Sequence, residues 1–287
     1  MKRLLRWIGV GLGGLVALAI IAYAIAYVLS ERALNRTYAV PKVAAISIPT
    51  DPESIAEGRR LATIRSCFKG CHGKDAEGIV MFDEPVIGRV VAPNLRAAVR
   101  KYSDAELVNI IRNGVRPDGR SIVIMPSEVF INLNDEDVGR ILAFLKSLPE
   151  APGPGPSVAL GPLGRIGVAA GKIHVVAELI ALTVPPPEAT GDEAIRGRYL
   201  ARTICAECHG TSLRGKSNPD FTSPSLRIVA SYSLEAFTEL LRTGVAIGGR
   251  KVGEMTEWTK DNRLQLTDAE ISALYSYLRT LPEPAGK

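Results

Sequence analysis

The chain has 287 residues, of which 46% are hydrophobic and 23% are charged. This length and apolar content suit about two packed domains and exclude a chain that stays disordered. The net charge of +5 is concentrated at one end, since residues 1–36 hold five basic residues against one acidic residue. The rest of the chain is close to neutral, so we expect no nucleic-acid partner.

The N-terminal segment has the pattern of a membrane helix. No charge occurs at positions 7–29, and three basic residues precede them. Such a run is long enough to cross a bilayer, and the basic head predicts a cytoplasmic N-terminus. We therefore predict a single-pass anchor over residues 1–35, in the cytoplasmic (inner) membrane of a bacterium, with the remaining chain on the periplasmic side. A signal peptide that ends near Ala24 and Ala26 is the alternative, and it would export the chain equally.

Proline and glycine divide the remainder of the chain. We predict an extended tether over 36–52, a first globular domain over 53–150, a linker over 151–188 and a second domain over 189–287. The linker begins with alternating proline and glycine, which is typical of a connecting segment. Its apolar part is broken by charges, so we expect it to pack over the domains or a partner rather than to span the membrane.

The two globular segments form an internal repeat. Gly58-Arg59-Arg60-Leu61-Ala62 matches Gly197-Arg198-Tyr199-Leu200-Ala201, and a Cys-His-Gly run follows in both. Between Tyr102 and Met125 the two segments keep a constant offset of 130 residues. The repeat therefore indicates duplication of one domain.

Each repeat is predicted to be helical. Ser103 and Thr267 each precede an acidic residue by three positions, which is the pattern of a capping box at the start of a helix. Gly114 should end the first of these helices. Residues 134–148 carry apolar side chains at helical spacing and correspond to the last helix of the second repeat.

A short helix is also expected before each cysteine motif. Gly58 and Gly197 would let this helix pack closely against the last helix of its domain. The expected partners there are Phe144 and Tyr275.

The second repeat contains Cys205-Ala206-Glu207-Cys208-His209, the attachment pattern of a c-type haem. The thiols of Cys205 and Cys208 add to the two vinyl groups of the porphyrin, and His209 supplies an axial nitrogen to the iron. A redox-active cysteine pair and half of a zinc site are the alternatives. Zinc requires four ligands, and no second Cys/His pair follows this motif.

The first repeat has three residues, rather than two, between Cys67 and Cys71, which His72 follows directly. The extra residue must bulge if both thiols are to bind a haem, and Gly70 could permit the bulge. Attachment through Cys71 alone and loss of this haem are the alternatives. The presence of His72 together with a matched methionine argues against loss.

Haem iron in c-type cytochromes is commonly held by a histidine and a methionine. Met125 and Met255 occupy equivalent positions of the repeat, so we predict that they are the second axial ligands, opposite His72 and His209. Met81 is the alternative for the first haem. His174 lies in the linker, where a surface or interior polar role is the simpler expectation.

With these motifs, the chain resembles a membrane-anchored di-haem c-type cytochrome built from tandem class I cytochrome c domains. The resemblance covers about 53–150 and 189–287. It implies an all-α fold, with one small helical domain wrapped around each of two haem c groups after an N-terminal transmembrane helix. The chain is similar to the cytochrome subunits of periplasmic dehydrogenases. Those of membrane-bound alcohol dehydrogenases usually carry three haem units, whereas this chain has two.

The resemblance implies an electron carrier rather than an enzyme, with no catalytic residue. It would pass single electrons between a dehydrogenase or quinol-oxidising partner and a downstream cytochrome or terminal oxidase. The alternative is a haem enzyme, such as a di-haem peroxidase or a thiosulfate dehydrogenase-like oxidoreductase. Catalysis at haem generally requires an open or displaceable iron position, and paired His/Met ligands leave none.

Overall fold

A long helix begins the structure, a computed structural model that describes residues 2–68, 70–217, 222–260 and 264–282. Helix α1 spans Lys2–Leu34 and exposes nearly all of its apolar side chains. At 1.5 Å per residue it is about 50 Å long. Among the described residues it is the one helix long and apolar enough to cross a membrane.

In its described residues, the first repeat contains five α-helices and a hairpin. The helices are α2 (Pro52–Ile64), α3 (Leu95–Lys101), α4 (Asp104–Val108), α5 (Ser127–Phe130) and α6 (Asp135–Ser147). The hairpin pairs β1 (Ile79–Glu84) with β2 (Gly88–Ala92) in antiparallel register. It lies between Gly78 and Pro93, a segment six residues longer than its equivalent between Gly215 and Pro224, and it contains Met81. An all-α fold was predicted, and the described chain is mostly helical, but this small sheet was not anticipated.

Local signals begin and end these helices as expected. Ser103 accepts from the amide of Glu106, whose carboxylate accepts from the amide of Ser103, so the predicted capping box is present. After α4 the chain continues as a wider helical turn over Asn109–Asn113 and stops at Gly114, which has a φ of 62°. A left-handed glycine at a helix end is a common terminator.

The linker is attached to its surroundings along its length. Strand β3 (Ser157–Leu160) pairs with β2 and completes a three-stranded sheet. Helix α7 (Pro162–Ala169) packs against α1, and α8 (Val176–Ala181) packs against the first repeat. The predicted tether is also fixed, because the amide of Tyr38 donates to the carbonyl of Gly119 (2.8 Å).

The second repeat follows the same plan. Its helices are α9 (Asp192–Leu200), α10 (Ala206–His209), α11 (Leu234–Thr243), α12 (Glu254–Lys260) and α13 (Asp268–Leu278). A wide helical turn, Ala201–Cys205, joins α9 to α10, and a 3₁₀-helix spans Leu226–Ser231. Two short hairpins pair β4 (Lys216–Ser217) with β5 (Thr222–Ser223), and β6 (Val245–Ala246) with β7 (Arg250–Lys251). The capping box at Thr267 is present.

One close helix crossing organises each repeat. A Cβ added at Gly58 of α2 would overlap the carbonyl oxygen of Arg140 in α6, and one at Gly197 of α9 would overlap that of Ala273 in α13. The predicted close packing at both glycines is therefore present. Phe144 is a contact of Gly58 as expected. At Gly197 the neighbouring side chain is Tyr277, two residues beyond the expected Tyr275.

The two repeats contact each other through equivalent positions. Arg60 and Tyr199 match in the repeat, and each reaches the last helix of the other domain. The guanidinium of Arg60 donates to both carboxylate oxygens of Glu270 at 2.9 Å, whereas the hydroxyl of Tyr199 donates to Asp137 at 2.6 Å. Asp137 and Glu270 are both the third residue of their helices. The contact therefore has approximate two-fold character, and apolar residues from both repeats form one core.

A buried arginine lies beside this contact. Arg65 is 2% exposed and donates to the carboxylate of Asp137 at 2.7 Å. The same carboxylate oxygen accepts from Tyr199, so Asp137 joins the two domains. Burial raises the pKa of Tyr199, and its hydroxyl therefore stays protonated as a donor.

We expect Gly58→Ala and Gly197→Ala each to lower the free energy of unfolding by about 2 kcal/mol, because the added methyl group forces the crossing helices apart. Urea denaturation of the detergent-solubilised chain, followed by circular dichroism, measures the change. Gly155→Ala is the control, because no atom lies within 4 Å of its added Cβ. Equal stability of all three variants would contradict the close crossing.

Asp137→Asn should cost about 3–5 kcal/mol, because it leaves the buried Arg65 guanidinium without a counter-charge. Tyr199→Phe, which keeps that ion pair, should cost only about 1 kcal/mol. The same denaturation experiment compares them. If the two variants lose equal stability, the Arg65–Asp137 pair is not the main contribution of this contact.

Candidate functional site

The second cysteine motif lies on a continuous helical path. Cys205 ends the wide turn after α9, and Cys208 and His209 end α10. Two residues three positions apart on a helix face the same side, so both thiols share one face. Both cysteines are half-buried, and neither forms a disulfide. Burial raises the pKa of Cys205 to about 12 and that of Cys208 to about 11.

Redox-active cysteine pairs have a lowered thiol pKa, whereas burial raises the pKa of Cys205 and of Cys208. Among the described residues, no group of three or more His, Cys, Asp or Glu side chains is arranged to hold a metal ion. A zinc site therefore has no support in the described parts of the chain.

Both histidines of the cysteine motifs are oriented by a backbone carbonyl. Nδ1 of His209 lies 2.8 Å from the carbonyl oxygen of Pro224, and Nδ1 of His72 lies 2.9 Å from that of Pro93. A carbonyl only accepts, so Nδ1 carries the proton and Nε2 keeps its lone pair. Burial lowers the pKa of both histidines, which favours the neutral form. Each imidazole is thus held as a metal ligand requires.

The loop after each histidine is also repeated. The amide of Gly78 donates to the carbonyl of His72 at 2.8 Å, and that of Gly215 donates to His209 at 3.0 Å. Both glycines have a positive φ. Equivalent non-glycine residues, Ala76 and Leu213, also adopt left-handed backbone with φ of 61° and 59°. The local backbone that presents each histidine is therefore the same in both repeats.

The first motif accommodates its extra residue in a wide turn between Cys67 and His72. Ser66, immediately before this turn, adopts a φ of 61°. The amide of His72 donates to the carbonyl of Cys67, five residues earlier (3.2 Å), which is a wider turn than an α-helix makes. Lys69 lies outside the described residues. Burial raises the pKa of Cys67 to about 12, as in the second motif.

Both predicted methionine ligands reach the core that the cysteines line. Met125 precedes α5 and Met255 is the second residue of α12. Both are half-buried and pack against the same apolar core as Cys67 and Cys205. Met81 lies on β1 in the inserted hairpin. Iron ligation by Met125 and Met255 remains a prediction.

His174 is engaged elsewhere. Its Nδ1 lies 3.3 Å from one carboxylate oxygen of Glu178, and the other oxygen of that carboxylate accepts from the hydroxyl of Tyr38 at 3.1 Å. This cluster joins the start of α8 to the start of the tether. The simpler expectation for His174, a polar structural contact, agrees with these partners.

The two motifs lie next to each other across the domain contact. The hydroxyl of Ser66 donates to a carboxylate oxygen of Glu207 at 3.2 Å. Ser66 immediately precedes Cys67, and Glu207 lies between Cys205 and Cys208. Burial raises the pKa of Glu207, and the hydrogen bond from Ser66 opposes that shift. This side-chain hydrogen bond therefore links the two cysteine motifs directly.

The residues present fit a covalently bound haem in each repeat. Each motif offers half-buried thiols, an oriented neutral imidazole and a nearby methionine in apolar surroundings. In the first repeat, Nε of Arg65 is buried and has no hydrogen-bond partner among the described residues. A buried donor of this kind suits a carboxylate such as those on a haem edge.

Comparison with known proteins gives one family and two kinds of relative. The cytochrome c family model matches residues 55–149 and 194–282. The fructose dehydrogenase cytochrome subunit of Gluconobacter japonicus is 25% identical over 272 residues, covering 83% of this chain and 56% of the relative. Cytochrome c subunits of quinone-dependent alcohol dehydrogenases from Gluconacetobacter polyoxogenes and Komagataeibacter europaeus are each 25% identical over 259 residues, covering 78% of this chain and 54% of theirs. The chain thus spans about half the length of these relatives.

We expect both haems to be attached through two thioethers, so the reduced pyridine haemochrome spectrum of the chain should show no residual vinyl group. Cys67→Ala should leave one vinyl on one haem and shift part of the absorption band to longer wavelength. Cys205→Ala is the matched control and should give a shift of equal size. If Cys67→Ala leaves the spectrum unchanged, Cys67 does not attach a haem.

Proposed function

The chain belongs to the cytochrome c family, and from that membership we propose that it is a membrane-anchored electron carrier with two covalently bound haem c groups. The main support for the proposal is the hydrogen bond that orients each histidine. In both repeats the imidazole Nδ1 contacts a proline carbonyl, that of Pro93 or that of Pro224. Haem iron, when bound, changes between its ferric and ferrous states and so carries one electron.

The residues of the chain have fixed roles in this proposal. The four cysteines would hold the porphyrins, and Nε2 of His72 and of His209 would bind iron. Met125 and Met255 would supply the sulfur ligands, which favour the ferrous state and raise the reduction potential. The surrounding apolar core excludes water from both sites. No step requires a nucleophile or a proton-transfer residue.

Electron exchange inside the chain follows from the contact between the motifs. Ser66 and Glu207 join them across the domain boundary, and the Arg60–Glu270 pair holds the two domains together beside it. These contacts would keep the two haem sites at a fixed distance and orientation, which suits electron exchange between them.

The relatives suggest the kind of partner. They are cytochrome subunits of a fructose dehydrogenase and of quinone-dependent alcohol dehydrogenases. We infer that this chain likewise exchanges electrons with a membrane-bound dehydrogenase or quinol-oxidising partner, and with a downstream cytochrome or terminal oxidase.

The membrane anchor belongs to the same proposal. Helix α1 would cross the inner membrane with its basic N-terminus in the cytoplasm, so that both haem domains face the periplasm. Ala26 and Ser30 of α1 are buried, and α7 packs on this part of the helix. A helix that contributes to packing in the mature fold favours a retained anchor over a cleaved signal peptide.

The alternative function, a haem peroxidase or thiosulfate dehydrogenase-like enzyme, needs an iron position that substrate can reach. Rapid binding of cyanide to the unaltered ferric protein would favour this alternative. An electron carrier with two His/Met sites should bind cyanide slowly at both irons.

We expect Met255→Ala to lower the reduction potential of one haem, because that iron loses its sulfur ligand, and to make the same iron bind cyanide rapidly. Met125→Ala should do the same for the other haem. Redox titration and visible spectroscopy measure both effects. Met81→Ala is the control and should change neither. An unchanged potential in Met255→Ala would remove Met255 from its proposed role.

A further inference from the structure

An exposed apolar surface lies beside the C-terminal end of α1, and the electron-transfer function does not account for it. We call it the apolar ledge and define it by Val86 and Ile87, in the turn between β1 and β2, and by Leu163 and Ile166 of α7. These side chains are 56%, 49%, 56% and 45% exposed, respectively. Four large hydrophobic side chains in one place usually mark an interaction surface.

The turn and the helix form one surface because they are joined directly. The amide of Leu163 donates to the carbonyl of Val86, and that of Gly161 donates to Ile87, both at 2.9 Å. A Cβ added at Gly164 would overlap the carbonyl of Ile87, so α7 rests on the turn. Leu163 and Ile166 are three positions apart and lie on the same side of α7.

The same helix is fixed to α1. The guanidinium of Arg165 donates to Glu31 at 2.7 Å and to Ser30 at 3.0 Å, and it lies 3.9 Å from the centre of the Tyr27 ring. Arg165 thereby holds α7 against the last turns of α1, where Ala26 and Ser30 are buried. The ledge is therefore at a defined height along α1.

That height matches the surface of a bilayer. The charge-free run of α1 ends at position 29, and Ala26 lies about 4.5 Å before that point at 1.5 Å per residue. Interfacial helices insert their apolar side about 5–10 Å into the boundary between headgroups and acyl chains. Helix α7 thus lies at the depth where such helices are found.

The charge distribution agrees with a lipid environment. Arg165 is the one charged residue between Glu150 and Lys172, and its side chain is paired with Glu31 and 13% exposed. On the hairpin, Arg89 pairs with Asp83 at 3.0 Å. No charge on α7 itself therefore has to be removed from water when the ledge enters a lipid surface.

We propose that the apolar ledge inserts into the outer leaflet of the membrane that α1 crosses, as a second lipid attachment of the first haem domain. The lipid is favoured over a protein partner because α7, which carries half of the ledge, packs directly on α1, and the apolar side chains of α1 are exposed. The proposal rests on the proposed membrane anchor. Attachment through both α1 and the ledge would prevent rotation of the first domain about α1. The first domain would then keep a fixed tilt relative to the membrane.

The test uses the full chain in phosphatidylcholine vesicles that contain a phosphatidylcholine probe with a photoactivatable diazirine in its upper acyl chain. After illumination, peptide mass spectrometry locates the lipid adducts. We expect adducts on α1 and also on peptides covering 79–92 and 158–172. Adducts on α1 alone would contradict insertion of the ledge but support the membrane anchor. An absence of adducts from α1 would contradict the anchor itself.

A double variant, Leu163→Asp with Ile166→Asp, should reduce adducts on 158–172 to the level of peptides from the second domain and leave those on α1 unchanged. Ile228→Asp is the matched control, because Ile228 is also 45% exposed but lies in the second domain. If the double variant unfolds at lower temperature in detergent, serine replaces aspartate at both positions. Adducts that persist in a folded double variant would overturn the proposal.

Discussion

Two helix crossings with no side chain between their backbones determine the positions of the other parts of each domain. Gly58 and Gly197 bring α2 against α6 and α9 against α13 at carbonyl contact. Each cysteine motif begins within nine residues of its glycine, so the crossing sets where the thiols enter the core. The partner helices α6 and α13 also contribute Asp137 and Glu270 to the domain contact. Site and interface therefore depend on the same packing.

Features with a local signal could be predicted from the sequence. The capping boxes, the left-handed Gly114 and the helix before each motif depend on neighbouring residues, and they are present. The close packing at Gly58 and Gly197 joins distant segments, but a glycine at the same position of both repeats indicated it. The pairing of β3 was missed because its partner strand lies about 70 residues earlier in the chain. The contact of the linker with the N-terminal helix was missed for a similar reason, since Arg165 finds its partners on α1.

The residues of the candidate site also differ in how far the sequence could predict them. Residue types and spacing identified the cysteines and histidines, and the repeat added the methionines. The roles of Pro93 and Pro224 had only an indirect signal, because a backbone carbonyl has no side-chain chemistry to recognise. The left-handed backbone at Ser66 had none, because serine does not usually adopt it.

The approximate two-fold contact between the repeats has a consequence for assembly. Arg60 and Tyr199 occupy one position of an ancestral repeat, and each reaches the other domain, as in a dimer of identical subunits. Here both halves of the contact belong to one chain. The linker, and not the protein concentration, therefore sets the effective concentration of one domain for the other. Dilution therefore does not separate the two domains. Because the two halves of the contact are encoded separately, equivalent positions can carry different residues, such as Arg60 and Tyr199.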